Sequence, residues 1–190
     1  MCKRTIEAIK DYKFKATEEN AIFVAKLLLA TLNINTYPVD ISKILNGLGF
    51  RVFIQNNLPS HISGYIRISE DLIDKYGTHK IISVNENDSP GRRRFTLGHE
   101  FYHYMFDYDS STKNYADFYD TDATENNNER FANRFASEFL MPEKLFRNEY
   151  NYLKSVVTNK TDIKETLVEK FNVSFKAVER RFNELGIKDV

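Results

Sequence analysis

The sequence predicts an α+β fold in which a small three-stranded sheet packs with several helices. Three successive segments alternate polar and apolar residues and are rich in Ile, Val, Phe and Tyr, as short strands are: Arg51 to Gln55, Gly64 to Ser69 and Lys80 to Asn85. Helical periodicity prevails on both sides of this stretch. A chain of 190 residues, 42% of them hydrophobic, can bury one core and at most a small appendage.

The helices that precede the sheet are marked by capping and stop signals. Residues 1–16 form a charged, basic segment, and Thr17 then caps an amphipathic helix that we expect to run to about Leu32. Pro38 begins a second helix, and the glycines within residues 47–49 end it. Two helices therefore lead into the first strand.

A third helix follows the sheet. Ser89 is a capping residue followed by proline at the first helical position, so this helix should run to about Asp107. Residues 107–128 are mostly polar and include several tyrosines, and they contain six acidic residues but a single basic one, Lys113. A connection of this length is unusual in a compact domain, and we interpret it as a functional loop.

The remaining chain is predicted to be helical. Residues 129–140 have a strong helical period that stops at Met141-Pro142, and two or three further helices fill the rest. We therefore divide the chain into the basic segment (1–16), a core (17–142) and a C-terminal helical segment packed on the core (143–190).

Composition excludes several classes of function. The 27 basic and 27 acidic side chains cancel, so no global charge attracts nucleic acid or an anionic membrane. Cys2 is the only cysteine, which excludes intramolecular disulfides and thiolate zinc sites and suits a reducing cytoplasm. The longest apolar run, residues 21–30, is interrupted by Lys26 and is too short to span a bilayer. We expect a cytoplasmic protein.

The helix after the sheet carries a His-Glu-x-x-His motif. His99 and His103 are four residues apart, so both imidazoles lie on one helical face and can hold one metal ion together. Glu100 points beside that position, where it can hold a water molecule and act as a base. Chance would produce this pattern in about one such sequence per hundred or fewer. The motif predicts a Zn²⁺ site.

A catalytic zinc ion needs a third protein ligand. The extended motif with a glycine and a third histidine is excluded, because Phe106 and Asp109 occupy those positions. Glu129 lies on the alanine-lined face of the next helix, where burial of a carboxylate is costly unless a cation satisfies it. Glu129 is therefore the favoured third ligand, and Glu125, one turn earlier, is its rival.

Two other residues of that helix have contrasting expected roles. Asn133, one turn after Glu129, could hydrogen-bond the free ring nitrogen of a ligand histidine, or it could be an ordinary surface amide. Glu138 lies about opposite Glu129 on the helix, so we expect it to be solvated.

Two segments resemble one known family. Residues 94–103, Arg-Phe-Thr-Leu-Gly-His-Glu-Phe-Tyr-His, and residues 129–142, from Glu129 to Met141-Pro142, resemble the ImmA/IrrE family of metallopeptidases. Pro38-Val39-Asp40 and the strand end at Val84-Asn85 extend the likeness. The resemblance implies a zincin-like minimal metallopeptidase that uses Zn²⁺ and cleaves a helix-turn-helix repressor, and it supports Glu129 as the third ligand.

The expected reaction is peptide hydrolysis with Glu100 as the base. The oxyanion also needs a donor, and the sequence offers four without choosing among them: His61, Tyr65, Tyr115 and Tyr119. The strand at Gly64 to Ser69 could be an edge strand beside the site, where a substrate peptide adds as a further strand, but an ordinary strand of the sheet is the favoured interpretation.

Two alternatives remain open at this point. The spacing of apolar residues from Leu167 to Gly186 matches a helix-turn-helix unit and suggests a DNA-binding regulator. Residues 160–190 hold seven basic and six acidic side chains, however, which leaves little charge for phosphate contacts. A purely structural zinc site is the other alternative, but such a site has no need of Glu100.

Overall fold

The computed structural model describes residues 2–124 and 126–188. Helices α1 to α9 span Cys2–Asp11, Glu18–Thr31, Ile41–Gly47, Leu72–Tyr76, Pro90–Phe106, Asn127–Leu140, Glu143–Val156, Lys160–Phe171 and Phe175–Glu184. Strands β1 to β4 span Phe50–Gln55, Ile62–Ser69, Lys80–Asn85 and Asn114–Asp120. The predicted α+β class is confirmed. Within the described residues, no helix is long and apolar enough to span a bilayer.

Across the part of the chain that the structure describes, the sheet has four strands, so the prediction of three was wrong. Their order is β1-β3-β2-β4, with β1 parallel to β3 and the other pairs antiparallel. The additional strand, β4, lies within the segment that we expected to be a loop. Its half-buried face carries Asp117 between Tyr115 and Tyr119, so its sequence lacks the apolar alternation that marks a strand.

The missed strand also changes which strand forms the edge. β2 is paired on both sides, with β3 through Ile66 and Ile82 and with β4 through Ile66 and Asp117. The favoured interpretation of Gly64 to Ser69 as an ordinary strand of the sheet is therefore confirmed, and the alternative that it forms an edge strand was wrong. β4 is the edge strand on this side of the sheet, and its unpaired backbone groups are the ones available to a further strand.

The basic N-terminal segment contains a helix that packs on the core. Ile6 of α1 is fully buried. Glu7 accepts a hydrogen bond from the Tyr104 hydroxyl at 2.8 Å and lies 3.6 Å from the Lys80 ammonium. Thr17 caps α2 as predicted, accepting a hydrogen bond from a backbone amide at 3.2 Å. These contacts join the start of the chain to the sheet and to α5.

Helix α5 lies between the sheet and α6, and its backbone approaches both closely. A methyl group at Gly64 would lie 2.6 Å from the side chain of Thr96, and one at Gly98 would lie 3.1 Å from the Cβ of Ala136. Only small residues allow backbones to approach this closely. The alanine-lined face expected for α6 thus faces α5, and it brings the two helices that carry the predicted metal ligands together.

Helix α9 is fixed to α6 by a buried ion pair. Glu138 of α6 is 2% exposed, so the expectation that it is solvated was wrong. It pairs with Arg181, which is 1% exposed and also donates to the carbonyl of Met141 at 3.0 Å. The partner lies 43 residues away in the sequence, which is why the helical period alone could not reveal it.

Candidate metal centre

The His-Glu-x-x-His motif lies inside α5, well away from its ends. Ser89 caps the helix by accepting a hydrogen bond from the Arg92 amide at 3.3 Å, as its sequence predicts. His99, Glu100 and His103 are each 0% exposed. Burial of three polar side chains on one helix is costly unless partners satisfy them.

The two histidines and Glu129 converge on one point. The Nε2 atoms of His99 and His103 are 3.0 Å apart. The Glu129 carboxylate is 3.1 Å from His99 Nε2 through Oε2 and 3.5 Å from His103 Nε2 through Oε1. Asn126 caps α6 by accepting from the Glu129 amide at 2.9 Å, which fixes the first turn. The rival ligand, Glu125, lies outside the described residues.

Hydrogen bonds at Nδ1 orient both imidazoles. His99 Nδ1 is 3.2 Å from Asn133 Oδ1, and His103 Nδ1 is 2.6 Å from Asp107 Oδ2. Both partner oxygens accept, so each neutral ring carries its hydrogen on Nδ1 and leaves a lone pair on Nε2. Two lone pairs and the Glu129 carboxylate therefore face one another, an arrangement that is unfavourable without a cation.

The spacing of these atoms fits a metal ion. Around a tetrahedral zinc ion with bonds of about 2.0–2.2 Å, ligand atoms lie about 3.3 Å apart. The two Nε2 atoms are 3.0 Å apart, and each lies close to a different oxygen of the Glu129 carboxylate, at 3.1 Å from Oε2 and 3.5 Å from Oε1, which is near that value. His99, His103 and Glu129 form a group able to hold a metal ion, and three ligands leave one coordination position open.

The electrostatics of the site also favour a cation. Burial raises the pKa of Glu100 to about 8, and neither of its carboxylate oxygens has a hydrogen-bond partner among the described residues. Burial likewise raises the pKa of Asp117, and Glu129 and Asp107 add to the shift. Carboxylates that disfavour one another's ionisation become compatible when a divalent cation lies among them.

The two histidines differ in their environments. Burial lowers the pKa of His99. Burial opposes protonation of His103 as well, but the hydrogen bond to Asp107 and the nearby carboxylates outweigh it and raise the pKa to about 9. The same negative surroundings that favour a proton on His103 favour a metal ion at its Nε2.

A peptidase family model described as the IrrE N-terminal-like domain matches residues 48–183. The chain belongs to this family. The resemblance to the ImmA/IrrE family that the two motif segments indicated is thus confirmed. The cluster of His99, His103 and Glu129 therefore lies in a member of a metallopeptidase family.

The fold is similar to that of proteins of known structure. A protein described as a Mycobacterium tuberculosis transcriptional regulator superposes with a TM-score of 0.56 at 18% sequence identity, over 94% of this chain and 51% of that one. This IrrE-like chain therefore spans about half the length of that structure, and at this identity the likeness concerns the fold alone. No curated protein matches the chain.

Sequence reasoning missed the support that three side chains give to the ligands of the IrrE-like site, although it had named Tyr119 as a candidate oxyanion donor. Asp107 was interpreted only as the end of α5, although its position four residues after His103 was a usable signal. Asn128 donates to Asp107 at 2.9 Å. Tyr119 stacks on His99 with ring centroids 3.8 Å apart and donates to Asn133 at 3.1 Å. These contacts fix the ring orientations.

The four candidate oxyanion donors lie in different places. Tyr119 covers one face of the His99 ring and lines the groove beside the site. Tyr65 pairs with Phe118, on the face of the sheet opposite α5. The Tyr115 hydroxyl is buried and has no hydrogen-bond partner among the described residues. His61 precedes β2, and its carbonyl accepts from a backbone amide at the end of β4.

Proposed function

We propose that this chain is a zinc-dependent endopeptidase with a zincin-like fold that cleaves a helix-turn-helix transcriptional repressor. One observation carries the proposal: the Nε2 lone pairs of His99 and His103 and the Glu129 carboxylate converge at the spacing of a tetrahedral ion. Glu100 lies beside them, buried and without a hydrogen-bond partner among the described residues. Membership of a peptidase family supports the reaction class.

The ligand set supports zinc rather than other ions. Two imidazoles with one carboxylate are the set found in catalytic zinc sites of peptidases, whereas magnesium and calcium prefer oxygen ligands alone. The open fourth position and the adjacent Glu100 argue against a purely structural ion, which would have four protein ligands and no need of a base.

Glu100 performs the proton transfers of the proposed reaction. Bound zinc would supply an acidified water molecule and a Lewis acid for the scissile carbonyl. Glu100 then accepts the proton of the attacking water and delivers it to the leaving amide nitrogen, so that the carboxylate is regenerated in each cycle. Burial raises its pKa in the unliganded protein, whereas a bound cation would lower the pKa again and keep the carboxylate ionised and able to accept a proton.

The open edge of β4 offers a place for the substrate. Among the described strands β4 pairs with β2 alone, and Asp117 and Tyr119 on β4 lie beside the metal ligands. An extended peptide that hydrogen-bonds to this edge would be held in register with its backbone next to Glu100. A repressor is the proposed substrate because the family resemblance implies one.

Proteome-wide mapping of new protein N termini tests this function. The wild type, Glu100→Gln and Glu129→Ala are each incubated with native lysate of the source organism in the presence of zinc. We expect new termini in a helix-turn-helix protein with the wild type only. Cleavage confined to other proteins would retain the peptidase and overturn the substrate, whereas identical termini with Glu100→Gln would overturn the mechanism.

A further inference from the structure

A groove leads from the metal ligands to the N-terminal end of α9. Its volume is about 490 Å³. Glu129 and Asn133 line one end, next to the metal site, and Lys176 and Arg180 of α9 line the other. A cavity of this size accommodates a few amino-acid side chains but not a folded domain or a nucleic-acid duplex.

Close backbone contacts fix the α9 wall to the helix that carries the motif. A methyl group at Gly91 of α5 would lie 2.3 Å from the carbonyl carbon of Val173 and 2.6 Å from the amide nitrogen of Ser174, just before α9. Arg94 donates to the carbonyl of Asn172 at 2.9 Å. Each of these contacts involves the backbone just before α9, so α9 is packed firmly against α5 and is not a loosely attached module. The groove is therefore a preformed part of the domain.

The α9 end of the groove carries positive charge that is not neutralised. Within residues 2–124 and 126–188, neither Lys176 nor Arg180 forms an ion pair. The Arg180 guanidinium lies 5.9 Å from the ring centroid of Phe95, which orients it towards the groove that Phe95 also lines. Arg92, by contrast, is paired with Asp88 at 2.9 Å.

We propose that Lys176 and Arg180 bind an acidic side chain of the substrate, so that the enzyme prefers Asp or Glu at one position near the scissile bond. This inference rests on the proposed peptidase function. A carboxylate between the two cations would form charge-assisted hydrogen bonds, while the peptide backbone lies along β4 towards the metal ligands. Among the described residues, the group able to hold the metal ion is His99, His103 and Glu129, so the two cations act apart from it.

The charges of the other walls favour a peptide over DNA. Asp117, Asp120 and Glu129 also line the groove, and these carboxylates would repel a run of phosphates. In a DNA-reading helix-turn-helix unit, residues at the start of the second helix contact bases. Here Ser174 and Lys176, at the start of α9, line the groove of the peptidase site. The helix-turn-helix-like segment therefore acts as a specificity element.

A peptide-library cleavage profile tests this assignment. Zinc-loaded wild type, Lys176→Glu, Arg180→Glu and the double variant are incubated with a proteome-derived peptide library, and the cleaved bonds are mapped by mass spectrometry. Lys160→Glu, an equal charge change on an exposed residue outside the groove, is the matched control. Thermal unfolding and zinc content are measured for each variant, so that misfolded variants are recognised.

The wild type and the control should cut peptides with Asp or Glu at one fixed position about 3- to 10-fold faster than peptides with Ala there. The double variant should lose this preference and favour Lys or Arg at the same position. An unchanged profile in the folded double variant would overturn the inference and leave the peptidase intact.

Two further outcomes would also count against the inference. If the wild type cleaves no peptide, the proposed function fails and the inference fails with it. If a 20-base-pair duplex binds the wild type and not the folded double variant, with no change in the cleavage profile, the cations bind phosphate instead.

Discussion

Asp107 should contribute to metal affinity although it is not a ligand. Its carboxylate lies 2.6 Å from Nδ1 of His103 and is itself held by Asn128 at 2.9 Å. Replacement by alanine removes the acceptor that keeps the His103 hydrogen on Nδ1 and the lone pair on Nε2. It also removes a negative charge that makes the imidazole a better ligand.

The size of the effect follows from this geometry. Loss of such a supporting carboxylate typically lowers metal affinity about 10- to 100-fold, or about 1.4 to 2.7 kcal/mol. The Asp107 side chain is 22% exposed, so water can partly replace it, and we expect Asp107→Ala to fall within this range and not beyond it. Asp107→Asn keeps an acceptor oxygen and loses only the charge, so its effect should be smaller.

A competition titration with a chromophoric zinc chelator measures this affinity. Asp109→Ala is the matched control, because Asp109 lies two residues further on and pairs with Lys13 at 2.8 Å on the surface. We expect wild-type affinity for Asp109→Ala and the stated loss for Asp107→Ala. Equal affinities for all three proteins would refute the role of Asp107 and the hydrogen placement inferred for His103.

Three further predictions concern stability, each measured by urea unfolding. Arg181→Ala leaves Glu138 buried without its partner and should cost about 3–5 kcal/mol, whereas an unchanged midpoint would contradict the buried pair. Gly91→Ala places a methyl group 2.3 Å from a backbone carbon and should cost about 1–3 kcal/mol or more, and wild-type stability would disprove the close approach. Burial alone would raise the pKa of Glu149, but its ion pair with Lys170 at 2.8 Å and the hydrogen bond that the Tyr37 hydroxyl donates to it together outweigh burial and lower the pKa. The stability that Glu149 contributes is therefore present at pH values above the ordinary pKa of glutamate, and it is lost as the pH falls through the lowered pKa of the folded state. The free energy of unfolding of Glu149→Gln should consequently fall less than that of the wild type between pH 7 and pH 3. An equal loss would contradict this.

The candidate ligands could be predicted because their signals are local in sequence. The four-residue spacing of His99 and His103 places both on one face of a helix whatever the rest of the fold does. Glu129 was recognisable because a carboxylate on an alanine-lined face needs a partner. Such patterns depend only on the helical period.

The features that sequence reasoning missed depend on partners distant in the chain. β4 places Asp117 between Tyr115 and Tyr119 on its half-buried face, so its sequence lacks the apolar alternation that predicts a strand. Glu138 is buried only because Arg181 reaches it from another helix. The groove joins Glu129 to Arg180, and nothing in either segment alone indicates that they share a cavity.

The most direct test of the central claim compares wild type and Glu100→Gln at equal zinc content. Glu100 lies beside the converging ligands without contacting them through a hydrogen bond. We therefore expect the variant to retain the zinc stoichiometry of the wild type, measured by mass spectrometry of the metal. Its rate of cleavage of the peptide library should fall by a factor of about 100 or more. Cleavage at the wild-type rate by zinc-loaded Glu100→Gln would contradict the account.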